Sequence, residues 1–193
     1  MTGALDTSAH GHPGHLHDEA CAAAHGEIAA PRDSRRLVLV FVSPVAREMA
    51  ALADRLGWPV SVLDPDPARL DPDPMRKTRT VSSVADARLD EGCDVVVCDH
   101  ERTELGDVLA EVLAGPHRWV GVMGSRRHTA PHVAALQARG VPAEQIARVH
   151  RPIGLDIGSK TPPEIALSTV AGLLADRTGR PGGPWVLDVE RPG

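Results

Sequence analysis

The sequence predicts a doubly wound α/β fold: a mostly parallel sheet with helices on both faces. Three observations carry the prediction. Short continuous apolar runs, such as Leu37-Val-Leu-Val-Phe-Val42, have the length and composition of strands covered on both sides. Stretches with a helical apolar period stand between these runs, opened by Ser, Thr or Pro and closed by Gly. The two kinds of segment alternate along the chain, an order that gives parallel sheets with ligands at the carboxyl ends of their strands.

Residues 1–35 show neither period and are read as a flexible tail of Gly, Ala, His and acids, broken by Pro13 and Pro31. Residues 36–193 are read as the folded domain. After the first strand, Ser43-Pro44 supplies an N-cap and a first-turn proline for a helix whose apolar positions are Val45, Met49, Leu52, Ala53 and Leu56, stopped by Gly57. Pro59 to Leu63 closes a βαβ unit. Asp64-Pro-Asp-Pro and Asp71-Pro-Asp-Pro cannot be regular structure, because proline lacks the amide donor and restricts its predecessor. A short strand at Thr80–Ser83 and a brief helix to Asp90 follow. Asp94–Cys98 reads as a buried strand, Glu104–Ala114 as a helix, Trp119–Met123 as a strand and Arg126–Arg139 as a helix stopped by Gly140. Arg148–His150 is a short extended piece. Thr161-Pro-Pro-Glu164 has capping-box spacing and opens a last helix through Leu174, and Trp185–Val189 is expected as a final edge strand.

A chain of 193 residues fits one domain. The formal charge of -5 opposes a nucleic-acid partner, since phosphate neutralisation requires clustered positive charge. One Phe, no Tyr and three Trp provide no base-stacking platform. No apolar run approaches the roughly 18–20 residues of a membrane span, and the N-terminus has neither a basic start nor an apolar stretch, so a cytoplasmic protein is expected. Cys21, Cys93 and Cys98 are an odd set with no disulfide framework and are read as reduced thiols. Lys77 and Lys160 are the only lysines, so arginine abundance is a compositional bias and only the placement of particular arginines carries meaning.

Three constellations could carry chemistry. Gly121-Val-Met-Gly124-Ser125-Arg126-Arg127-His128 lies where a strand becomes a helix, so glycine backbone, free helix-start amides and two guanidinium groups favour an anion. Pro152-Ile-Gly154-Leu-Asp156-Ile-Gly158-Ser-Lys160-Thr-Pro-Pro-Glu164 places glycines, an acid and a lysine before a capped helix; a glycine turn with a cap explains the same residues. Cys98-Asp99-His100-Glu101 ends another strand on the same edge, with His100 as an acid, a base or a loop anchor. No spacing matches a nucleophile with its base or a closed zinc site.

Trp119-Val-Gly-Val-Met-Gly-Ser-Arg-Arg, followed by Arg148-Val-His-Arg-Pro-Ile-Gly-Leu-Asp-Ile-Gly-Ser-Lys-Thr-Pro-Pro-Glu-Ile-Ala-Leu-Ser, closely resembles the C-terminal domain of the XdhC family, the xanthine dehydrogenase accessory proteins. The resemblance extends from about Leu37 to Ala175. It implies a Rossmann-like fold and a role in handling or inserting molybdenum cofactor for a molybdenum hydroxylase apoenzyme, as a cofactor-insertion chaperone rather than an enzyme. On this resemblance Gly124, Ser125, Arg126, Arg127, Gly154, Asp156, Gly158, Glu164 and His100 fall on cofactor-binding positions.

The sequence departs from the family pattern in two places. Family members carry Gly-Ala-Gly-His-Val-Ala after the first strand, where this chain has Phe41-Val-Ser-Pro44-Val-Ala. Phe41 adds bulk where a pyrophosphate would approach, and Pro44 removes an amide donor, so NAD and NADP are expected to bind poorly. Asp64 falls where a ribose-binding acid would sit and, without the glycines, is read as a turn acid. The family's N-terminal half, with its own cysteine-containing motif, has no counterpart here, which implies that its chemistry is missing or comes from a separate chain. In its place His10, His12, His15 and His17 stand near His25, Asp18, Glu19 and Cys21. Imidazoles are common ligands for zinc, nickel and copper, so Zn or Ni binding by the tail is a compositional expectation. The rival readings are a degenerate interaction module without cofactor and an NAD(P)-binding oxidoreductase-like protein. The sequence leaves a homodimer open.

Overall fold

The computed structural model describes Ala22, His25 and residues 35–70, 78–124 and 130–183. The chain divides into a unit over Met1–Arg32 and a unit over Asp33–Gly193. The second unit holds, among the described residues, five strands and six α-helices: β1 (Arg36–Val40), α1 (Pro44–Arg55), β2 (Val60–Leu63), β3 (Arg79–Val81), α2 (Val84–Ala87), β4 (Cys93–Val97), α3 (Leu105–Ala114), β5 (Trp119–Val122), α4 (Pro131–Gln137), α5 (Ala143–Ile146) and α6 (Pro162–Thr178). All described strand pairs are parallel, in the order β3-β2-β1-β4-β5. The chain runs outward from β1 through β2 to β3, then returns to place β4 on the other side of β1. The crevice between the carboxyl ends of β1 and β4 is therefore the topological switch point of a Rossmann-like sheet.

Alternation along the strands builds two cores. Val38 and Val40 of β1, with Val95 and Val97 of β4, face one side and meet Leu109 and Val112 of α3 and Leu136 of α4. Leu37 and Leu39 of β1, with Val96 of β4, face the other and meet Met49 and Ala53 of α1 and Val170 and Leu173 of α6. A shift of one residue in register would exchange the two sets, so buried faces on both sides fix the pairing. Helix α1 starts where the sequence places it: Ser43 (φ -151°) is the N-cap, its Oγ accepts the Ala46 amide at 3.1 Å, and Pro44 occupies the first turn. Its small buried positions Ala46, Ala50 and Ala53 let α6 pack closely against it.

Several boundaries shift by a residue or two, and two helix boundaries differ for a local physical reason. The helix expected over Arg126–Arg139 is the shorter Pro131–Gln137, because Ala130 (φ -87°, ψ 85°) is not helical and a residue before proline is driven out of helical space. Residues 125–129 lie outside the described set. The brief helix expected to reach Asp90 ends at Ala87, where Arg88 turns left-handed (φ 51°) and Arg36 donates to the Ala87 and Arg88 carbonyls at 2.8 and 2.7 Å. The expected edge strand Trp185–Val189 also lies outside the described residues. The Arg148–His150 piece bridges β5 in parallel, Val122 N donating to His150 O at 3.0 Å and His150 N to Val120 O at 2.9 Å. No helix among the described residues is long and apolar enough to cross a membrane.

Candidate functional site

The carboxyl edge of the sheet has two halves of different character. At the switch point, the chain leaving β1 bends at Phe41, whose φ of 70° is a backbone region glycine takes at little cost and other L-residues at about 1–2 kcal/mol. The Phe41 side chain is fully buried. The Arg102 guanidinium, from the loop after β4, lies 4.8 Å from the centre of the Phe41 ring. Its Nη1 and Nη2 donate to Asp64 Oδ2 and Oδ1 at 3.0 and 3.1 Å, and its Nη2 and Nε donate to Glu104 at 2.8 and 3.3 Å.

Asp64 is fully buried and also accepts the Val42 amide at 2.9 Å and the Asp66 amide at 3.1 Å. A carboxylate offers about four acceptor positions, and all are taken. The acid at the ribose position is thus neither a ligand for a sugar nor a plain turn acid; it is the anchor of a buried ion pair. Hydrogen bonds from Arg102 hold Glu104 down to about 2 from an ordinary 4.5. The same bonds, with those to Asp64, raise the Arg102 guanidinium above its usual range.

The other half lies beyond β4 and β5. His100 is half-buried and lines a cavity of about 500 Å3 with Arg102, Thr103, Leu105 and Pro131. Gly124, at the end of β5, has φ 153°, and a Cβ there would fall 2.4 Å from Arg151 Nη2. The glycine makes room for a guanidinium group against bare backbone. A second cavity, about 420 Å3, opens between α4 and α5 with His132 and Arg151 among its walls. His132 is 4% exposed, and its Nδ1 is buried without a hydrogen-bond partner among the described residues. Burial, with the nearby Arg151 charge, lowers the titration of this imidazole below its ordinary value and favours the neutral ring.

The second sequence constellation divides by role. Gly154 (φ 85°) seats the loop on α6: a Cβ would lie 2.6 Å from Ser168 Oγ, and the Cβ of any residue replacing Gly172 would lie 2.9 Å from Gly154 Cα. Ser168 Oγ donates to Leu155 O at 2.6 Å. Glu164 accepts the Lys160 and Thr161 amides at 2.8 and 3.0 Å and caps α6. Asp156 and Gly158 are exposed. Ser125, Arg126 and Arg127 lie outside the described residues, as do His10, His12, His15 and His17. The start of α4 at Pro131 removes the premise that Arg126 and Arg127 stand on its first turn.

Cys93 and Cys98 are buried free thiols at opposite ends of β4, so they cannot share one metal ion, and burial raises both above the usual thiol range. Among the described residues no cluster of His, Cys, Asp and Glu suits a metal. The fully buried Asp94, at the amino end of the sheet, binds Arg118 Nε at 2.5 Å and Arg177 Nε. It braces the edge away from the ligand side. Sequence reasoning missed Arg102, His132 and Arg151. Only Arg151 carried a signal, as the residue before Pro152 in a stretch already singled out.

A parallel sheet whose switch point is filled by Phe41, Arg102 and Asp64 defines a Rossmann-type domain. A family model for the XdhC Rossmann domain matches residues 37–173, and the chain belongs to that family. It is 33% identical over 153 residues to the uncharacterized protein YqeB of Escherichia coli, covering 77% of this chain and 28% of that protein. Among solved structures it is similar to a xanthine dehydrogenase from Bacillus halodurans, with a TM-score of 0.62 and 22% identity, covering 76% of this chain and 45% of that one. The likeness to that structure is one of fold, and the chain spans little more than a quarter of the curated relative's length.

Proposed function

We propose that this chain is an accessory factor in the maturation of a molybdenum hydroxylase of the xanthine dehydrogenase type, acting in the cytoplasm on the cofactor or on the apoenzyme rather than catalysing a reaction. The observation that carries the reading is the match of the XdhC Rossmann domain over residues 37–173, with the candidate anion loop on the carboxyl edge where this fold binds ligands. Gly124 leaves room for the Arg151 guanidinium against its bare backbone, and a guanidinium beside this loop suits a terminal phosphate. Gly124, Ser125, Arg126 and Arg127 would hold that phosphate, with His100 and Asp156 as neighbouring polar groups. When bound, molybdenum cofactor supplies the redox chemistry of the client enzyme; this chain's residues bind and orient it. Gly154 and Glu164 act through the loop and the cap they build.

Equilibrium binding of purified molybdenum cofactor to the full chain tests the proposal. Arg126→Ala/Arg127→Ala is expected to weaken it at least about tenfold, one such factor being about 1.4 kcal/mol. Unchanged affinity in the double variant would move the phosphate site elsewhere. The filled switch point favours a second reading, an interaction module that binds the apoenzyme or a separate chain with the family's N-terminal half and holds no cofactor. No binding of cofactor, together with capture of the apoenzyme, would favour it. The oxidoreductase alternative has Asp64 and Phe41 against it, and calorimetry is expected to find NAD weaker than about 1 mM.

A further inference from the structure

The cavity between α4 and α5 is lined mostly by apolar side chains, among them Val133, Ile146, Ala147 and Val149, with His132, Arg151 and Gln137 as its polar members. His132 projects from the buried face of α4, yet its Nδ1 finds no hydrogen-bond partner among the described residues. Buried polar atoms in folded proteins are nearly always paired, so an orphaned ring nitrogen on a cavity wall is open to a partner that the described residues do not supply. Arg151 is fixed nearby by Gly124, whose missing side chain leaves the space its guanidinium occupies. Cation, unpartnered imidazole and apolar wall together specify a ligand with an anionic group at one end and an apolar body at the other.

We propose that this cavity is a binding site for a small organic anion, a carboxylate or phosphate monoester on an apolar body, with Arg151 taking the charge and His132 hydrogen-bonding the anionic group. Neutral imidazole offers one N–H donor and one acceptor, so the tautomer protonated at Nδ1 donates to the ligand oxygen. Val133 and Ile146 cover the body. The site does not rest on cofactor binding, because its probes contain neither pterin nor molybdenum.

The test titrates the full chain with phenyl phosphate, benzoate and inorganic phosphate by calorimetry, following the His132 ring nitrogens by NMR. Phenyl phosphate or benzoate is expected to bind with a Kd below about 1 mM and to shift the Nδ1 resonance, the better of the two naming the anionic group. Inorganic phosphate, without a body to bury, is expected to bind at least about tenfold more weakly. His132→Leu is expected to weaken the preferred probe at least about tenfold while leaving the melting temperature unchanged or raised, because it removes an unpaired buried nitrogen. His132→Gln, which keeps a donor, is expected to restore part of the affinity, and Arg151→Gln to abolish it. A buried water as the true partner of Nδ1 would show as a lower melting temperature in His132→Leu with unchanged probe affinity, and would overturn the proposal. Absence of binding by both organic probes, or a Kd indifferent to His132, would overturn it as well.

Discussion

Replacing Arg102 with alanine is the most direct test of the filled switch point. Asp64 is fully buried and the Arg102 side chain is 9% exposed, so neither charge is relieved by water when the other is removed. In Arg102→Ala the Asp64 carboxylate keeps only the Val42 and Asp66 amides and loses both of its charge-assisted bonds. Breaking a buried ion pair on one side costs about 3–5 kcal/mol, to which loss of the contact over the Phe41 ring adds about 0.5–1. For a domain of this size 1 kcal/mol moves the melting temperature by about 2–4 °C, so a fall of roughly 7–24 °C is expected. Asp64→Asn alone is expected to cost a comparable amount. In Asp64→Asn/Arg102→Met both charges are gone, and the loss is expected to fall short of the sum of the single losses by about 1–3 kcal/mol. Urea denaturation followed by circular dichroism, with the slope of the transition checked for constancy, measures all these terms. A loss below about 1 kcal/mol in Arg102→Ala, the level of an exposed ion pair, would refute the reasoning, as would single losses that simply add.

Four further outcomes are expected. His132 has a lowered folded-state titration, so the unfolded chain binds more protons there; the stability it contributes is complete above its ordinary value of 6.5 and is lost as the pH falls through that value. Melting curves of the parent and His132→Leu are therefore expected to separate below about pH 6.5, the parent losing more. Glu104, lowered to about 2, adds a second acid loss that begins near 4.5, and Glu104→Gln is expected to flatten that part of the profile in the same melts. Gly154→Ala, forced to φ 85° with its Cβ 2.6 Å from Ser168 Oγ, is expected to cost about 2–4 kcal/mol in urea unfolding, whereas Gly158→Ala, with open space around it, costs only about 1–2. Deleting residues 1–33 is expected to abolish zinc or nickel binding in equilibrium dialysis without moving the metal-free melting temperature; equal uptake by the shortened chain would place the metal site in the domain.

The alternation of apolar strands and capped helices was enough to foresee the fold because local signals and burial agree at nearly every element. Leu37 to Val40 is apolar at each position because both faces of the strand are covered, and Ser43-Pro44 announces α1 by chemistry that needs no tertiary partner. The boundary at Pro131 is legible in the sequence, because Pro131 disfavours helical geometry at Ala130 and so a helix running through from Arg126. The site was less legible for a physical reason. Arg102 meets Asp64 across 38 residues of sequence, and His132 meets Arg151 only after α5 has turned the chain back. Neither pairing leaves a period or a spacing in the sequence. Glu164 and Gly154 carried strong local signals, and their local roles, cap and close packing, account for them.

Phe41 holds a positive φ that glycine adopts at little cost, so the bend at the switch point carries a bulky side chain into the crevice. The ring fills space, Arg102 lies on it, and the Asp64 acceptors are spent on the pair. A nucleotide entering there would have to separate buried opposite charges before making any bond of its own, a cost of several kcal/mol set against its gross affinity. Across β4 and β5 the balance is reversed. There, among the described residues, the His132 Nδ1 has no hydrogen-bond partner and the Arg151 guanidinium lies against the bare Gly124 backbone, so an incoming anion would satisfy an imidazole nitrogen that folding left unpaired. On the reading proposed here, ligand affinity in this domain belongs on the far half of the carboxyl edge. Substitutions at the switch point should register in stability, and substitutions at His132 should register in binding.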